Sequence, residues 1–142
     1  MRTLIRVQSG DFSIEEEIGR VKAASKKIGG IVIFLGAARD FTEETGDVEK
    51  LVFEHYPGMA EKKLEELRRK AKERFDIIEV SIIHRYGEIA AGENIVLIVV
   101  GAMHRKDAFT ACKWIIDELK KIVPIWKKEH TKKGEVWVKE HP

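Results

Sequence analysis

Three potentially cationic side chains follow the most apolar segment of the sequence. His104, Arg105 and Lys106 come directly after residues 95–103, and Asp107 is a candidate N-cap for the helix that follows. A helix N-terminus has unpaired backbone N–H groups and a partial positive charge, so adjacent Arg and His side chains make it suited to bind an anion. A solvated strand end has the same composition, and these local features alone do not separate the two interpretations.

Three lysines recur at a spacing of seven residues, at Lys113, Lys120 and Lys127. Lys120 and Lys127 lie on either side of Pro124, so a break in the chain there would let their side chains converge on one pocket. Neighbouring ammonium groups lower each other's pKa, and a lysine with a lowered pKa can act as a base or a nucleophile. An ordinary basic surface is the alternative and is the commoner role of lysines.

A third candidate lies where an apolar segment ends in Arg39. The preceding residues Gly36, Ala37 and Ala38 are small, so a ligand could approach the backbone closely there. One arginine after a strand is compatible with many roles.

A fourth candidate is residues 124–126, Pro-Ile-Trp, which precede Lys127 and Lys128. An exposed segment of this kind suits a protein partner, whereas Trp126 is equally compatible with a core position. Six lysines against one acid between Lys120 and Lys133 indicate either an anion-docking face or a well-solvated one.

The sequence lacks the motifs of several common enzyme classes. It has neither the P-loop glycine pattern nor the dinucleotide-binding fingerprint, and no serine lies in a G-x-S-x-G elbow. Its histidines and Cys112 show no H-E-x-x-H or C-x-x-C spacing. We therefore predict no bound metal and no cofactor.

The composition sets the class of protein. With 142 residues, the chain is expected to form a single domain over residues 1–142. A net charge of +2, from 26 basic and 24 acidic residues, is too small for a dedicated nucleic-acid binder. No apolar run approaches the roughly 20 residues of a membrane span, no secretory signal opens the chain, and Cys112 is the one cysteine. A cytoplasmic location is expected, without membrane or nucleic-acid contacts.

The elements that must position these residues alternate between strands and helices. Ser13 with Glu16 forms a capping box for a helix that would run to about Lys27 and stop at the Gly29-Gly30 pair. Two further helices are predicted, at residues 59–75 and from about 109 to 123. Strands are expected at residues 3–8, 30–37, 48–56, 78–85, 95–100 and 135–138, with a loop at 39–47 and a turn at 88–93. This order predicts an α+β fold, with a largely antiparallel sheet and packed helices.

Five sequence pieces, in this order and spacing, resemble the large, catalytic subunit of molybdopterin synthase. The resemblance covers nearly the whole chain, and its specificity comes from the pieces being in register rather than from any one of them. The pieces are FEHYPGMA at residues 53–60, HRYGEI at 84–89, HRKDAF at 104–109, DELK at 117–120 with VPIWKKE at 123–129, and GEVWV at 134–138.

The resemblance implies a reaction, partners and a fold. This family converts cyclic pyranopterin monophosphate into molybdopterin by adding two sulfurs that form a dithiolene. The sulfur arrives as a thiocarboxylate on the C-terminal Gly-Gly of a small ubiquitin-like subunit. Two large subunits form a homodimer at the centre of a heterotetramer, and the family's fold is called an α/β hammerhead.

The resemblance also implies roles for individual residues. Lys120 and Lys127 match the two active-site lysines, and Arg39 matches the arginine that closes the first buried-strand motif. His104 and Arg105 match a pair that binds the anionic part of the substrate and reaches the pocket from the other large subunit. The substrate phosphate and the thiocarboxylate are both anions, so these cations supply the expected counter-charge.

Three further substrate contacts are predicted, at Ala37, Ala38 and Lys128. The family commonly has Gly-x-Val-Arg where this chain has Gly36-Ala37-Ala38-Arg39, so Ala38 keeps a small apolar residue before the arginine.

Two other functions compete with this one. A non-catalytic interaction module would use the Pro-Ile-Trp segment to dock a ubiquitin-like tail, with the lysines acting only in electrostatic steering. A small RNA-binding domain would use the lysine cluster with Trp126 and Trp137, although the near-neutral charge and the lack of an RNP-like motif count against it.

Overall fold

Three helices and ten strands make up the part of the chain that the computed structural model describes, which is residues 4–42, 46–131 and 134–138, without the side chains of residues 41 and 42. The helices are α1 (Ile14–Lys22), α2 (Met59–Arg74) and α3 (Arg105–Ile122). The strands are β1 (Ile5–Gln8), β2 (Gly30–Ala37), β3 (Phe41–Thr42), β4 (Gly46–Asp47), β5 (Lys50–His55), β6 (Glu79–Arg85), β7 (Gly87–Ala90), β8 (Asn94–Ala102), β9 (Ile125–Thr131) and β10 (Gly134–Val138).

The strands form two four-stranded sheets and one short hairpin. The first sheet has the order β1-β6-β8-β2, in which β1 and β6 pair parallel and the other pairs are antiparallel. The second has the order β10-β9-β5-β7 and is antiparallel throughout. Strands β3 and β4 pair with each other. The α+β class predicted from the sequence is confirmed.

Strand β8 is the centre of the core, and residues 95–102 are all buried. Successive side chains of a strand point to opposite faces, and here both faces are covered. Val96, Ile98 and Val100 belong to the main cluster, which includes the buried residues of α2 and α3. Leu97 and Val99 belong to a smaller cluster with Val21 of α1. The first sheet is therefore the middle layer between α1 and the α2–α3 pair.

The start of α1 follows the sequence prediction, but its end does not. The Ser13 hydroxyl accepts a hydrogen bond from the Glu16 N–H at 3.2 Å, as in a capping box. The helix ends at Lys22, well before the predicted Lys27 and the glycine pair.

The glycine pair has a different purpose from the predicted helix stop. Neither Gly29 nor Gly30 has a positive φ. A Cβ at Gly29 would collide with the Met103 carbonyl oxygen, and one at Gly30 would lie 3.3 Å from the Arg105 Cα. The missing side chains therefore let the start of β2 pack directly against the connection between β8 and α3.

Several strands lie where the sequence predicted other structure. The predicted turn at 88–93 contains β7, and the predicted loop at 39–47 contains β3 and β4, with residues 43–45 outside the described part. The strands predicted at 30–37 and 48–56 lie in two different sheets, whereas the sequence predicted a single sheet. Strand β9 was not predicted because both of its faces carry charged residues. Its sequence therefore lacks the alternation of apolar and polar residues that indicates a strand.

In the described residues, no helix has the length and apolar character needed to cross a bilayer.

Candidate functional site

The cationic residues of α3 lie at its two opposite ends. His104 occupies the N-cap position and Arg105 is the first helical residue, so the predicted N-cap Asp107 is instead in the first turn. Lys120 is in the last turn. All three cationic side chains are exposed. Fifteen residues of α-helix separate Arg105 from Lys120, which is about 22 Å at 1.5 Å per residue. One copy of the chain therefore does not bring the two ends into one pocket.

A groove of about 470 Å³ lies beside Lys120, between the end of α3 and the β9–β10 hairpin. Trp126 is 49% exposed and Trp137 is 55% exposed, so the two indoles form walls of this groove and are not core residues. An open groove with apolar walls and ammonium groups at its rim is suited to an extended chain with an anionic end. Its lining residues are Lys120, Lys121, Val123, Ile125, Trp126, Trp137 and Val138.

Lys127 is buried on the inner face of β9, where its side chain is 4% exposed. Its Nζ lies 3.9 Å from Oε2 of Glu129, whose side chain is also buried. Burial of an ammonium group costs free energy unless an opposite charge lies close, and Glu129 supplies such a charge beside Lys127. The groove-lining residues Ile125 and Val138 lie on the same face of the hairpin as Lys127, since Val138 is its partner in register.

Lys128 lies on the opposite, outer face of the hairpin. Its Nζ is 4.6 Å from the centre of the Trp137 ring and 3.2 Å from Oε2 of Glu135. The hydrogen bond from Lys128 lowers the pKa of Glu135 below its usual value. These contacts hold Lys128 within the hairpin, and it is not among the residues that line the groove.

Arg39 is exposed immediately after the buried Ala38, at the far end of β2. The Ala38 N–H donates to the Glu93 carbonyl at 2.9 Å, and the Gly92 N–H donates to the Ala38 carbonyl at 2.8 Å. The N–H of Ala38 is therefore already committed within the chain, and Ala37 is the exposed member of the predicted alanine pair.

Strand β2 and helix α3 run side by side in the same direction. Gly30 lies against Arg105 at the start of both elements. Cys112 then lies at the Phe34 backbone, near the middle of both. The end of β2 and Arg39 therefore lie toward the Lys120 end of α3. The structure brings Arg39, Lys120 and Lys127 to one end and leaves His104 and Arg105 at the other.

The described part of the chain has neither a metal-binding cluster nor a reactive cysteine. No group of three or more His, Cys, Asp or Glu side chains there could hold a metal ion. Burial raises the pKa of Cys112 to about 11, so this cysteine is a thiol at neutral pH and offers no thiolate nucleophile.

Two features of the site were missed in the sequence. Glu129 was counted only as one acid in a lysine-rich run, although a single acid two residues from Lys127 is the spacing that places both on one strand face. The groove-lining Val123 and Val138 carry no chemical signal, because their role depends on the hairpin that brings them together.

These features define a class of protein: an α+β domain with a lysine-bearing groove that is suited to the anionic end of a chain. The family model described as "MoaE protein" matches residues 7–122. The chain belongs to the MoaE protein family.

Similar proteins agree with this assignment. The chain is 53% identical over 129 residues to the molybdopterin synthase catalytic subunit of Pyrococcus abyssi, covering 90% of this chain and 84% of that one. The crystal structure of molybdopterin synthase from Staphylococcus aureus has a TM-score of 0.89 at 33% identity and covers 97% of this chain and 98% of that one. A complex of subunits 1 and 2 of molybdopterin-converting factor from Helicobacter pylori has the same fold, with a TM-score of 0.76 at 23% identity, covering 99% and 94%.

Proposed function

We propose that this chain is the catalytic subunit of a molybdopterin synthase. It transfers sulfur from the C-terminal thiocarboxylate of a small ubiquitin-like subunit to cyclic pyranopterin monophosphate, and two transfers form the molybdopterin dithiolene. The observation that carries the proposal is the groove beside Lys120. Lys127 is buried on the same hairpin face as the groove-lining residues Ile125 and Val138. Membership of the MoaE family supports it.

The groove has the properties that an incoming Gly-Gly tail requires. Its apolar walls, Trp126 and Trp137, can flank a chain without side chains, and Lys120 at its rim can pair with the charged tail end. The solved complex from Helicobacter pylori contains two different subunits, which supports a second protein as the partner of this fold.

Lys120 and Lys127 supply positive charge where negative charge develops. The thiocarboxylate sulfur bonds to a substrate carbon as a C–O bond of that carbon breaks and the oxygen leaves. Water then cleaves the bond between the acyl carbon and sulfur, so the tail is left as a carboxylate and the sulfur stays on the substrate. Negative charge then builds on the acyl oxygen, and an ammonium group already in place stabilises it without reorganisation. We assign this role to Lys120. Lys127 supplies a second ammonium group on the inner face of the hairpin, where Glu129 is its neighbour.

The substrate phosphate requires counter-charges of its own. Arginine presents a planar fork that binds phosphate through two hydrogen bonds, which suits Arg39 and Arg105, and His104 adds an imidazole that can donate a further hydrogen bond. Because Arg105 lies about 22 Å along α3 from Lys120 in one copy, we propose that His104 and Arg105 reach the site from a second copy. The working enzyme is then a homodimer of this chain with a small subunit at each end. A cytoplasmic location is part of the proposal.

The test is turnover with purified components. The chain is mixed with a thiocarboxylated small subunit and cyclic pyranopterin monophosphate, and the dithiolene product is followed by mass spectrometry. Lys120→Ala is expected to lower kcat at least about 100-fold while small-subunit binding stays within about threefold. The control is Lys113→Ala, which removes an exposed lysine of the same helix that pairs with Asp117.

The outcomes distinguish the competing functions. Unchanged turnover in Lys120→Ala would reject its catalytic role. A tight complex with no product from the unmodified chain would instead support an interaction module, in which lysine substitutions weaken binding in a salt-dependent way.

A further inference from the structure

Arg85, the last residue of β6, is a buried arginine that the proposed reaction does not use. Its side chain is 8% exposed, although arginine is rarely buried without a specific set of partners. Its Nε donates to the Ser9 carbonyl at 3.0 Å, and its Nη1 donates to the Asn94 carbonyl at 2.9 Å. Nη1 also lies 3.6 Å from Oε2 of Glu93. One planar group therefore joins the β1–α1 connection, the start of β8 and the turn that precedes β8.

These partners lie at the end of the first sheet where β2 also ends. Asn94 is the register partner of Ala37, the last residue of β2. The Asn94 side-chain amide donates to Oδ1 of Asp11 at 3.0 Å, so Asn94 is held through its side chain as well as through its carbonyl. The contacts of Arg85 therefore fix strand ends that lie next to Arg39.

The turn between β7 and β8 closes on Glu93. The Glu93 N–H donates to the Ala90 carbonyl at 3.0 Å, and Oε1 of Glu93 accepts a hydrogen bond from the Ala90 N–H at 2.7 Å. Gly92, within this turn, has a φ of 87°, a conformation that favours glycine. The Glu93 carboxylate thus connects its own turn to the buried guanidinium of Arg85.

The same turn holds the residue that precedes Arg39. The Ala38 N–H donates to the Glu93 carbonyl at 2.9 Å, and the Ala38 carbonyl accepts from the Gly92 N–H at 2.8 Å. On the other side of Arg39, the Asp40 carbonyl accepts a hydrogen bond from a backbone N–H at 2.7 Å. The backbone of Arg39 is therefore fixed by both of its neighbours, and the position of Ala38 depends on the turn.

We propose that Arg85 is a positioning residue for Arg39: it holds the turn between β7 and β8, and this turn fixes the end of β2 that precedes Arg39. The inference rests on the proposed function for the role of Arg39 in binding phosphate, whereas the hold on β2 is a property of the fold. A lysine cannot replace Arg85, because an ammonium group donates from one atom and Arg85 donates to two carbonyls from two atoms.

The first test measures amide hydrogen exchange of the full chain by NMR, which does not require turnover. Arg85→Lys is expected to speed exchange of the Ala38 and Gly92 amides at least about tenfold. The matched control is Arg68→Lys, because Arg68 also joins a backbone carbonyl to carboxylates, between α2 and β6. Equal exchange of the two amides in both variants, or no change in Arg85→Lys, would overturn the proposal.

The second test separates positioning from a purely structural role. Arg85→Lys is expected to raise KM for cyclic pyranopterin monophosphate about tenfold and to leave kcat within about twofold, whereas Arg68→Lys should change neither. In an Arg39→Ala background, Arg85→Lys should add less than about twofold to KM, because the two residues act through one contact. A KM that does not respond to Arg85→Lys, or a full effect in both backgrounds, would overturn the positioning role.

Failure of the proposed function has a different signature. No product from the unmodified chain would overturn the proposed function, and with it the role of Arg39 in binding substrate. Faster exchange of the Ala38 amide in Arg85→Lys than in Arg68→Lys would still uphold the hold on β2.

Glu93→Ala covers the case in which Arg85→Lys fails to fold. The Glu93 side chain is 47% exposed, so its removal leaves the core intact but takes away a partner of Arg85 and the acceptor of the Ala90 N–H. Exchange of the Ala38 amide is expected to rise at least about threefold. The control is Glu88→Ala, which removes an exposed carboxylate of the neighbouring strand β7. Equal exchange of the Ala38 amide in these two variants would overturn the proposal.

Discussion

The two ends of α3 differ in completeness. The C-terminal end has a groove, two indole walls, an exposed lysine and a buried lysine–glutamate pair. The N-terminal end has His104 and Arg105 in solvent, and His104 makes no side-chain hydrogen bond to the helix. Among the described residues, the C-terminal end of α3 thus lies beside a groove, whereas the N-terminal end carries exposed cations that line no such groove. This difference is the reason for the proposal that two copies of the chain share each site.

The largest effect is expected from breaking the buried ion pair of Lys127 and Glu129, near the C-terminal end of α3. Glu129→Gln leaves the Lys127 ammonium without its neighbouring carboxylate, which is expected to lower the free energy of unfolding by about 3 kcal/mol. Urea denaturation followed by circular dichroism measures it. The control is Glu135→Gln on the outer face of the same hairpin, where the carboxylate is solvated. Equal stability of the two variants would show that Lys127 does not depend on Glu129.

The second-largest effect is expected at the N-terminal end of α3, on substrate binding. Arg105→Ala is expected to raise KM for the pyranopterin substrate about 30-fold, since a charge-assisted hydrogen bond to phosphate contributes about 2 kcal/mol. Binding of the small subunit, measured by titration calorimetry, should not change. Lys106→Ala, at the neighbouring exposed position, is the control. If Arg105→Ala weakened small-subunit binding and left KM unchanged, the assignment of the two ends would be reversed.

A smaller effect is expected at the wall of the groove. Trp126→Ala removes a half-exposed indole and should weaken small-subunit binding about tenfold, while Val136→Ala should have little effect. Val136 is exposed on the same hairpin but does not line the groove. A tail-truncated small subunit should lose the difference between the variants, and an unchanged difference would place the Trp126 contact outside the groove.

The smallest effect lies away from both ends, where Glu79 joins β6 to α2. Burial raises the pKa of Glu79, but the Val80 N–H and the Arg68 guanidinium outweigh it and lower the pKa below 4.5. A carboxyl with a lowered folded-state pKa stabilises the fold above its unfolded pKa, and this contribution disappears as the pH falls through the folded value.

Glu79→Gln should therefore cost at most about 1 kcal/mol at pH 7, after allowance for solvent screening, and the difference should shrink below pH 4.5. Thermal unfolding across pH 3–7 measures it, and turnover of the folded variant should be unchanged. A cost that grew as the pH fell would contradict the direction of the Glu79 shift.

Local chemistry made much of the fold predictable. The Ser13 cap, the buried β8 segment and the apolar period of α2 each carry their own signal in the sequence, and each lies within a few residues of its predicted place. Elements whose identity depends on distant contacts were not predictable. Strand β9 is a strand because β5 and β10 pair with it, and Gly29-Gly30 are small because Met103 and Arg105 pack against them.

The sequence indicated where some of the candidate residues lie in the fold, but not how the hairpin arranges the others. The positions of Lys120, Arg39 and Arg105 follow from strand and helix ends, which the sequence marks. That Lys127 is buried beside Glu129, and that Lys128 lies on the other face of the hairpin against the Trp137 ring, follows from the register of a hairpin that the sequence did not indicate.

The central claim is that each working site takes its parts from both ends of α3, on two copies of the chain. The most direct test mixes two impaired variants, Arg105→Ala and Lys120→Ala, after dissociation and reassociation in equal amounts, with the substrate held below the KM of the unmodified chain. Half of the dimers are then mixed, and each mixed dimer has one site with both residues intact, so about a quarter of the unmodified turnover should return. Turnover that stays at the level of the separate variants would contradict the account, because it would mean that Arg105 and Lys120 act within one chain or not together.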